Sequence, residues 1–192
     1  MTRFTKAQLA AFAGSSVDDL LGDEVRLLIV GINPGLWTAA VNAHFARPGN
    51  RFWPALHAAG ITPHRIDASA GMAPADAELL RAKGIGITNI SPIATARADE
   101  LTREQLRAGA ERLTALVERL QPRVVAVLGI SAYRLAFGRP ATKIGPQPQA
   151  LAGCELWVLP NPSGLNAHAT PTTLAQSYAQ AADAAGISRS AT

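Results

Sequence analysis

The feature that most constrains the fold is a short apolar run at residues 27–30, which stops at the sequence Gly-Ile-Asn-Pro-Gly of residues 31–35. Consecutive branched apolar residues are typical of a strand that is buried on both faces, as in a parallel sheet. The glycines, asparagine and proline that follow predict a tight turn. Because the carboxyl ends of parallel strands face the ligand crevice of an open sheet, we expect this turn to present Asn33 there.

Strand and helix patterns alternate along the rest of the chain. Further strands are predicted at residues 84–90, 124–128 and 156–159. Helices are predicted at residues 5–13, 51–59, 75–83, 102–120, 131–137 and 170–185, with loops at 37–50 and 138–149. This alternation predicts an α/β protein, a single three-layer α/β/α domain with a central, mostly parallel sheet. The expected divisions are an N-terminal helical extension at residues 1–24, the main domain at 25–186 and a C-terminal tail at 187–192.

Composition excludes several kinds of site. The chain has 192 residues, a net charge of +4 and a pI near 9.8, which permits a polyanionic partner such as nucleic acid. Cys154 is the only cysteine, so neither an intrachain disulfide nor a site of four thiolates can form. The histidines are not paired at metal-ligand spacing, and we expect no metal and no cofactor. The sequence shows no signal peptide and no membrane-spanning stretch, so we expect a cytoplasmic protein with no membrane partner.

Three loops follow predicted strands and should open at one edge of the sheet: residues 31–50, 88–99 and 160–169. Their Asn, Pro and Gly residues could be ordinary turn residues. In the first loop, Phe45 either packs under the loop or offers a stacking surface beside Arg47 and Arg51. An aromatic platform beside arginines that can contact phosphate suits an unstacked base.

Residues 31–35, 45–53 and 161–165 resemble, in order, the signature segments of the mismatch-specific uracil-DNA glycosylases. These enzymes are relatives of the thymine-DNA glycosylases in the uracil-DNA glycosylase superfamily. The resemblance runs from about Arg26 to the final helix and implies the glycosylase fold, a parallel sheet flanked by helices. The chain differs from the family pattern at Trp37, Arg47 and Asn166, which leaves the range of excised bases open and makes thymine the least favoured base.

The resemblance also implies roles for single residues. Asn33 matches the asparagine that positions the attacking water, and Phe45 matches the aromatic residue that stacks on the flipped base. Ile32 and Phe45 would offer backbone groups to the base, and Asn161 matches an asparagine at the pocket. Three residues match the wedge that enters the duplex: Gly164, Leu165 and Asn166.

A neutral amide cannot accept a proton, so Asn33 would only orient water. We therefore hypothesise that Asp99, in the second loop, stabilises the sugar cation or accepts the proton of the water. The alternative is that Asp99 is a helix-start carboxylate near Thr102, favoured by the helix dipole. No lysine is placed to act as a nucleophile, so strand cleavage is not expected.

Together these observations predict a monomeric, monofunctional glycosylase that excises uracil, chiefly from G·U mismatches, in base excision repair. Its partner would be double-stranded DNA with a mismatched or damaged base. A first alternative is a non-catalytic nucleic-acid-binding module that recognises a flipped or single-stranded base. A second alternative is a protein that binds free nucleotides and ignores duplexes.

Overall fold

A single five-stranded sheet forms the centre of the molecule. The structure, a computed structural model, describes residues 4–164 and 169–190. The strands are β1 (Leu27–Gly31), β2 (Ile85–Asn89), β3 (Val124–Leu128), β4 (Gly145–Pro146) and β5 (Glu155–Leu159). Their order is β2-β1-β3-β5-β4, and only β4 pairs antiparallel with its neighbour. The predicted, mostly parallel sheet is confirmed.

Helices cover both faces of this sheet. They are α1 (Lys6–Ala10), α2 (Leu36–Val41), α3 (Phe52–Ala58), α4 (Pro74–Ala82), α5 (Arg103–Leu120), α6 (Ile130–Phe137) and α7 (Pro171–Ala184). Successive strand residues point to opposite faces. Accordingly, Leu27 and Ile29 pack with α3, α4 and α7, whereas Leu28 and Val30 pack with α5 and α6. The two resulting cores confirm the predicted three-layer α/β/α architecture.

Capping residues define where the two longest helices begin. Thr102 caps α5 and Thr170 caps α7, each through a complete capping box. The predicted loop at residues 37–50 is wrong in its first part, because α2 lies there. This helix has only six residues, Leu36–Val41, between the N-cap Gly35 and the left-handed C-cap Asn42, so it is too short to show a clear periodicity. The predicted loop at 138–149 likewise contains the short strand β4.

Both flanks of the predicted main domain pack against it. Leu20 exchanges two backbone hydrogen bonds with Ile87 of β2, at 2.9 and 2.8 Å. At the other end Ile187 is buried in the core, and the Ser190 amide donates to the Gly60 carbonyl at 2.8 Å. The proposed divisions at residues 24 and 186 stay predictions. Across the described residues, every helix is too short or too polar to span a bilayer.

Candidate active site

A cleft of about 160 Å³ opens at the carboxyl edge of the sheet, where the loops after β1, β2 and β5 meet. It is lined by Gly31, Ile32, Asn33, Gly35, Thr38, His44, Phe45, Arg47, Asn50, Asn89, Thr95, Ala96, Ala98, Leu128, Asn161, Pro162 and Ser163. The topology explains this meeting, because parallel strands end at the same edge. The cleft is therefore the place where the predicted loops converge.

The loops after β1 and β2 are joined by backbone hydrogen bonds that continue the ladder of the sheet. The amides of Ile90 and Ser91 donate to the carbonyls of Gly31 and Ile32, both at 2.9 Å. Further along, the Thr95 amide donates to the Pro34 carbonyl at 3.2 Å. These bonds hold the turn that carries Asn33 against the second loop.

The side chain of Asn33 has one defined orientation. Its Nδ2 donates to the carbonyls of Pro34 at 3.1 Å and Ile93 at 3.0 Å, and to Oγ1 of Thr95 at 2.7 Å. Carbonyl oxygens only accept, so the amide nitrogen must face them. Within the described residues no hydrogen bond reaches Oδ1 of Asn33. The half-buried residue therefore offers an acceptor that can orient a water molecule.

Phe45 forms an aromatic wall of the cleft. Its ring stacks on Phe52 with centroids 3.9 Å apart and planes inclined by 25°. Its backbone has φ 54°, a left-handed conformation that is unusual for a bulky residue and is found where the surrounding structure imposes it. The amides of Ile32 and Phe45 donate to no acceptor within the described residues. Since both residues line the cleft, these two N–H groups are candidate donors to a ligand.

The third loop begins with a turn that Asn161 stabilises. Oδ1 of Asn161 accepts a hydrogen bond from the Ser163 amide at 2.9 Å. The Pro162 carbonyl accepts one from the Arg51 amide at 3.0 Å, which joins this loop to the start of α3. Gly164 is exposed and packs closely on Gly49, because a Cβ atom at position 164 would lie only 3.1 Å from the Gly49 carbonyl oxygen. Leu165 and Asn166, which are predicted to form the wedge with Gly164, lie outside the described residues.

The two arginines that are predicted to contact phosphate have different surroundings in the structure. Arg47 is exposed at the rim of the cleft. The guanidinium of Arg51 is instead directed at the protein, donating from Nη2 to the Ser163 carbonyl at 2.5 Å and from Nη1 to the Ala169 carbonyl. Arg51 thus connects the two described sides of the third loop to α3. Trp37, a departure from the family pattern, donates to the Ser69 carbonyl at 2.9 Å and does not line the cleft.

Asp99 is not brought into the cleft. Its carboxylate is exposed and pairs with Arg97, with Nη2 and Oδ2 2.5 Å apart. The hydrogen bond from Arg97 lowers the pKa of Asp99, so the carboxylate is ionised at neutral pH. Its neighbour Ala98 does line the cleft. The predicted catalytic role of Asp99 stays a prediction.

Two buried lining residues, His44 and Asn89, were missed by the sequence reasoning. Each is 4% exposed. Nδ2 of Asn89 lies 3.4 Å from Nδ1 of His44, whose Nε2 lies 3.0 Å from the Asp18 carbonyl oxygen. Burial lowers the pKa of His44 and keeps the ring neutral. The available signal was the position of Asn89, a polar residue at the carboxyl end of a buried strand.

The cleft is mildly positive and offers no cluster for a metal. Arg47 carries the one permanent charge among the described residues that line it, and none of them is acidic. The described part of the chain contains no group of three or more His, Cys, Asp and Glu side chains that could hold a metal ion. The groups that the described lining offers to a ligand include the amides, the backbone N–H groups, Arg47 and the aromatic wall.

A parallel sheet covered on both faces, with an aromatic wall and oriented amides at its carboxyl edge, defines an α/β protein whose cleft is built from a ring face and hydrogen-bonding groups. The chain belongs to the uracil DNA glycosylase superfamily, whose family model matches residues 19–182. It also shares its fold with a candidate uracil DNA glycosylase from Methanosarcina acetivorans, solved by solution NMR. That match has a TM-score of 0.60 and 19% identity, and it covers 89% of this chain and 98% of the other. Membership of the superfamily supports DNA glycosylase activity and confirms the predicted fold class.

Proposed function

We propose that this protein is a monofunctional DNA glycosylase that hydrolyses the N-glycosidic bond of uracil in mismatched duplex DNA, chiefly in G·U pairs. The observation that carries the proposal is the relation between Asn33 and Phe45 in one cleft. Asn33 offers an acceptor for water, and Phe45 offers a ring face for a base. The substrate would be a nucleotide turned out of the helix, since a base inside a duplex cannot reach the cleft.

Mismatch preference follows from the cost of turning the base out. Unpairing and unstacking cost a few kcal/mol, and the cost is lowest where pairing is already poor. Stacking on Phe45, which is itself supported by Phe52, offsets part of this cost. The proposed wedge of Gly164, Leu165 and Asn166 would occupy the vacated space, a role that rests on the family resemblance.

Bond cleavage leaves a cationic sugar and an anionic base. The N–H groups of Ile32 and Phe45, which donate to nothing within the described residues, would stabilise the negative charge on the departing base. Asn33 would hold the attacking water, and its neutral amide would take no proton. Asp99 remains our candidate for stabilising the sugar or accepting that proton, provided that its carboxylate leaves Arg97 and turns past Ala98.

Asn89 provides a physical basis for choosing uracil. No hydrogen bond from a described residue reaches Oδ1 of Asn89, so this oxygen is an available acceptor. Uracil carries a hydrogen on N3 that can be donated to it. Neutral cytosine has a lone pair on N3 instead and would leave two acceptors facing each other, which is costly in a buried site.

The test is single-turnover excision on duplexes with one central G·U, A·U or G·T pair. We expect the wild type to release uracil fastest from G·U. Asn33→Ala should lower that rate by about 100-fold or more while duplex binding, measured by fluorescence anisotropy, is retained. Binding without release from any duplex would contradict the proposal and favour a non-catalytic base-binding module.

A further inference from the structure

Asn89 is held by groups from several parts of the chain. Nη2 of Arg112, on α5, donates to the Asn89 carbonyl. The preceding residue, Thr88, donates from Oγ1 to Oδ1 of Asp19 at 2.6 Å, and Nη1 of Arg112 lies 3.7 Å from the other oxygen of Asp19. The backbone of Asn89 is therefore fixed, and the rotation of its amide is what remains to be set.

The environment of His44 determines that rotation. Nε2 of His44 faces the Asp18 carbonyl oxygen at 3.0 Å, and because that oxygen only accepts, Nε2 must carry the hydrogen. Burial keeps the ring neutral, so Nδ1 has a lone pair and can only accept. The amide nitrogen of Asn89, 3.4 Å away, must therefore turn towards His44. Oδ1 of Asn89 is then directed away from the imidazole and lies against Gly31, which lines the cleft.

We propose that His44 is a positioning residue, which fixes the Asn89 amide so that the amide oxygen is available to the base. The preference for a base that carries a hydrogen on N3, over cytosine, then depends on His44. This inference rests on the proposed function and deepens it. The segment before β1 takes part as well, since the carbonyl of Asp18 sets the tautomer of His44. That segment would be required for specificity without touching the base.

A double-mutant cycle on the rate of uracil release from G·U tests the inference. The variants are His44→Leu, Asn89→Ala and the combination. We expect each single change to lower the rate by about 10-fold, and the double variant to be no slower than Asn89→Ala. Effects that multiply in the double variant would overturn the proposal, because His44 would then act independently of Asn89.

Two further measurements separate positioning from folding. His44→Asn supplies an amide oxygen near the place of Nδ1. We expect this variant to recover part of the rate of uracil release that is lost in His44→Leu. The midpoints of thermal unfolding of both variants are measured to compare their stabilities. Equal rates for the two variants at equal stability would count against the proposal.

The tautomer gives a readout that does not need excision. We expect ¹⁵N NMR of the wild type to show a protonated Nε2 and an unprotonated Nδ1 on His44. A hydrogen on Nδ1 would overturn the positioning role even if uracil is released normally. Conversely, a wild type that shows the expected tautomer but releases no base would overturn the proposed function and not the geometry of the His44–Asn89 pair.

Discussion

Gly31 and Asn89 lie so close together that a Cβ atom on Gly31 would overlap Oδ1 of Asn89. The same Cβ would lie 3.3 Å from Cζ of Phe45. The ends of β1 and β2 are paired at these two residues, so the absence of a side chain at position 31 is what allows the Asn89 amide to reach the cleft. The Asn89 amide and the aromatic wall of the cleft thus depend on the same glycine.

Gly31→Ala should displace both Asn89 and Phe45. We expect single-turnover excision to fall by about 100-fold, because misplacement by an ångström at a reacting site costs that much. Gly35→Ala is the matched control, since a Cβ there meets no heavy atom within 4 Å and neither glycine has a left-handed φ. Because Gly35 also lines the cleft, Gly35→Ala is expected to lose some activity but clearly less than Gly31→Ala; equal losses in the two variants would show that the close approach to Asn89 is not the cause.

Asp99→Asn tests for a catalytic carboxylate. Among the described residues lining the cleft none is acidic, and Asp99 follows the lining residue Ala98. We expect its replacement to lower single-turnover excision by about 10-fold or more with duplex binding retained. The control is Arg97→Ala, which removes the ion-pair partner and leaves the carboxylate, and should preserve the rate. An unchanged rate for Asp99→Asn would mean that Asn33 orients water without help from this carboxylate.

Arg51→Lys distinguishes two roles of Arg51, a contact to DNA phosphate and the hydrogen bonds that hold the third loop. Lysine can contact a phosphate as a point charge, but it cannot reproduce the planar fork that reaches the carbonyls of Ser163 and Ala169. We expect Arg51→Lys to lose duplex excision about as strongly as Arg51→Ala. Retention of the rate by lysine alone would favour the phosphate contact predicted from the sequence. Thermal unfolding of both variants measures how much of the loss is due to stability.

Arg47→Ala should weaken DNA binding without changing which base is excised. Arg47 is exposed at the rim of the cleft, where a contact to phosphate carries no sequence information. We expect a uniform loss of affinity for matched and mismatched duplexes and a salt-dependence slope smaller by about 1. Binding measured over a range of salt concentrations gives the slope, and an unchanged slope would exclude the phosphate contact.

Stability should fall as the pH is lowered through the range in which His44 would ordinarily titrate. Burial lowers the pKa of His44 below its ordinary value of 6.5, and the charges of Asp19 and Asp18, with the Asp18 backbone hydrogen bond, oppose this only in part. Well above pH 6.5 the ring is neutral in both the folded and the unfolded state and contributes nothing to the pH dependence. Below it the unfolded chain binds a proton that the folded protein does not, so the free energy of unfolding decreases until the pH reaches the folded pKa.

Urea unfolding of the wild type and His44→Leu between pH about 7.5 and about 5.5 isolates this contribution. We expect the wild type to lose more stability than the variant over this range. Parallel losses would show that His44 is not the group responsible.

Elements with strong local signals were predicted well. The run at residues 124–128 is β3 with the same bounds, and α5 begins directly after its N-cap Thr102, with Gln105 in the first turn, as the capping box indicates. Repeated apolar positions and end caps belong to contiguous residues, so the sequence contains the whole signal. The helix α2 was missed because six residues, of which Thr38 and Ala39 are the buried ones, carry too little periodicity.

The candidate site was predicted only where one segment contains the signal. Asn33 and Phe45 stand in turns that the sequence makes recognisable, and the structure places both in one cleft. His44 is a different case, because its partners Asp18 and Asn89 are 26 and 45 positions away in the chain. Hydrogen bonds between such distant residues leave no local pattern.

Local sequence patterns specify the four parallel strands, the two long helices and the edge at which the loops meet, because apolar periodicity and turn chemistry are local properties, whereas the two-residue strand β4 has no such pattern. Tertiary structure decided what the side chains at that edge do. The tertiary structure directs Arg51 to carbonyls of the third loop and pairs Asp99 with Arg97. It also places Asn89 against His44 and Gly31. The physical reason is that burial and hydrogen-bond partners fix the orientation and charge of a polar group, and both arise only when distant segments pack together.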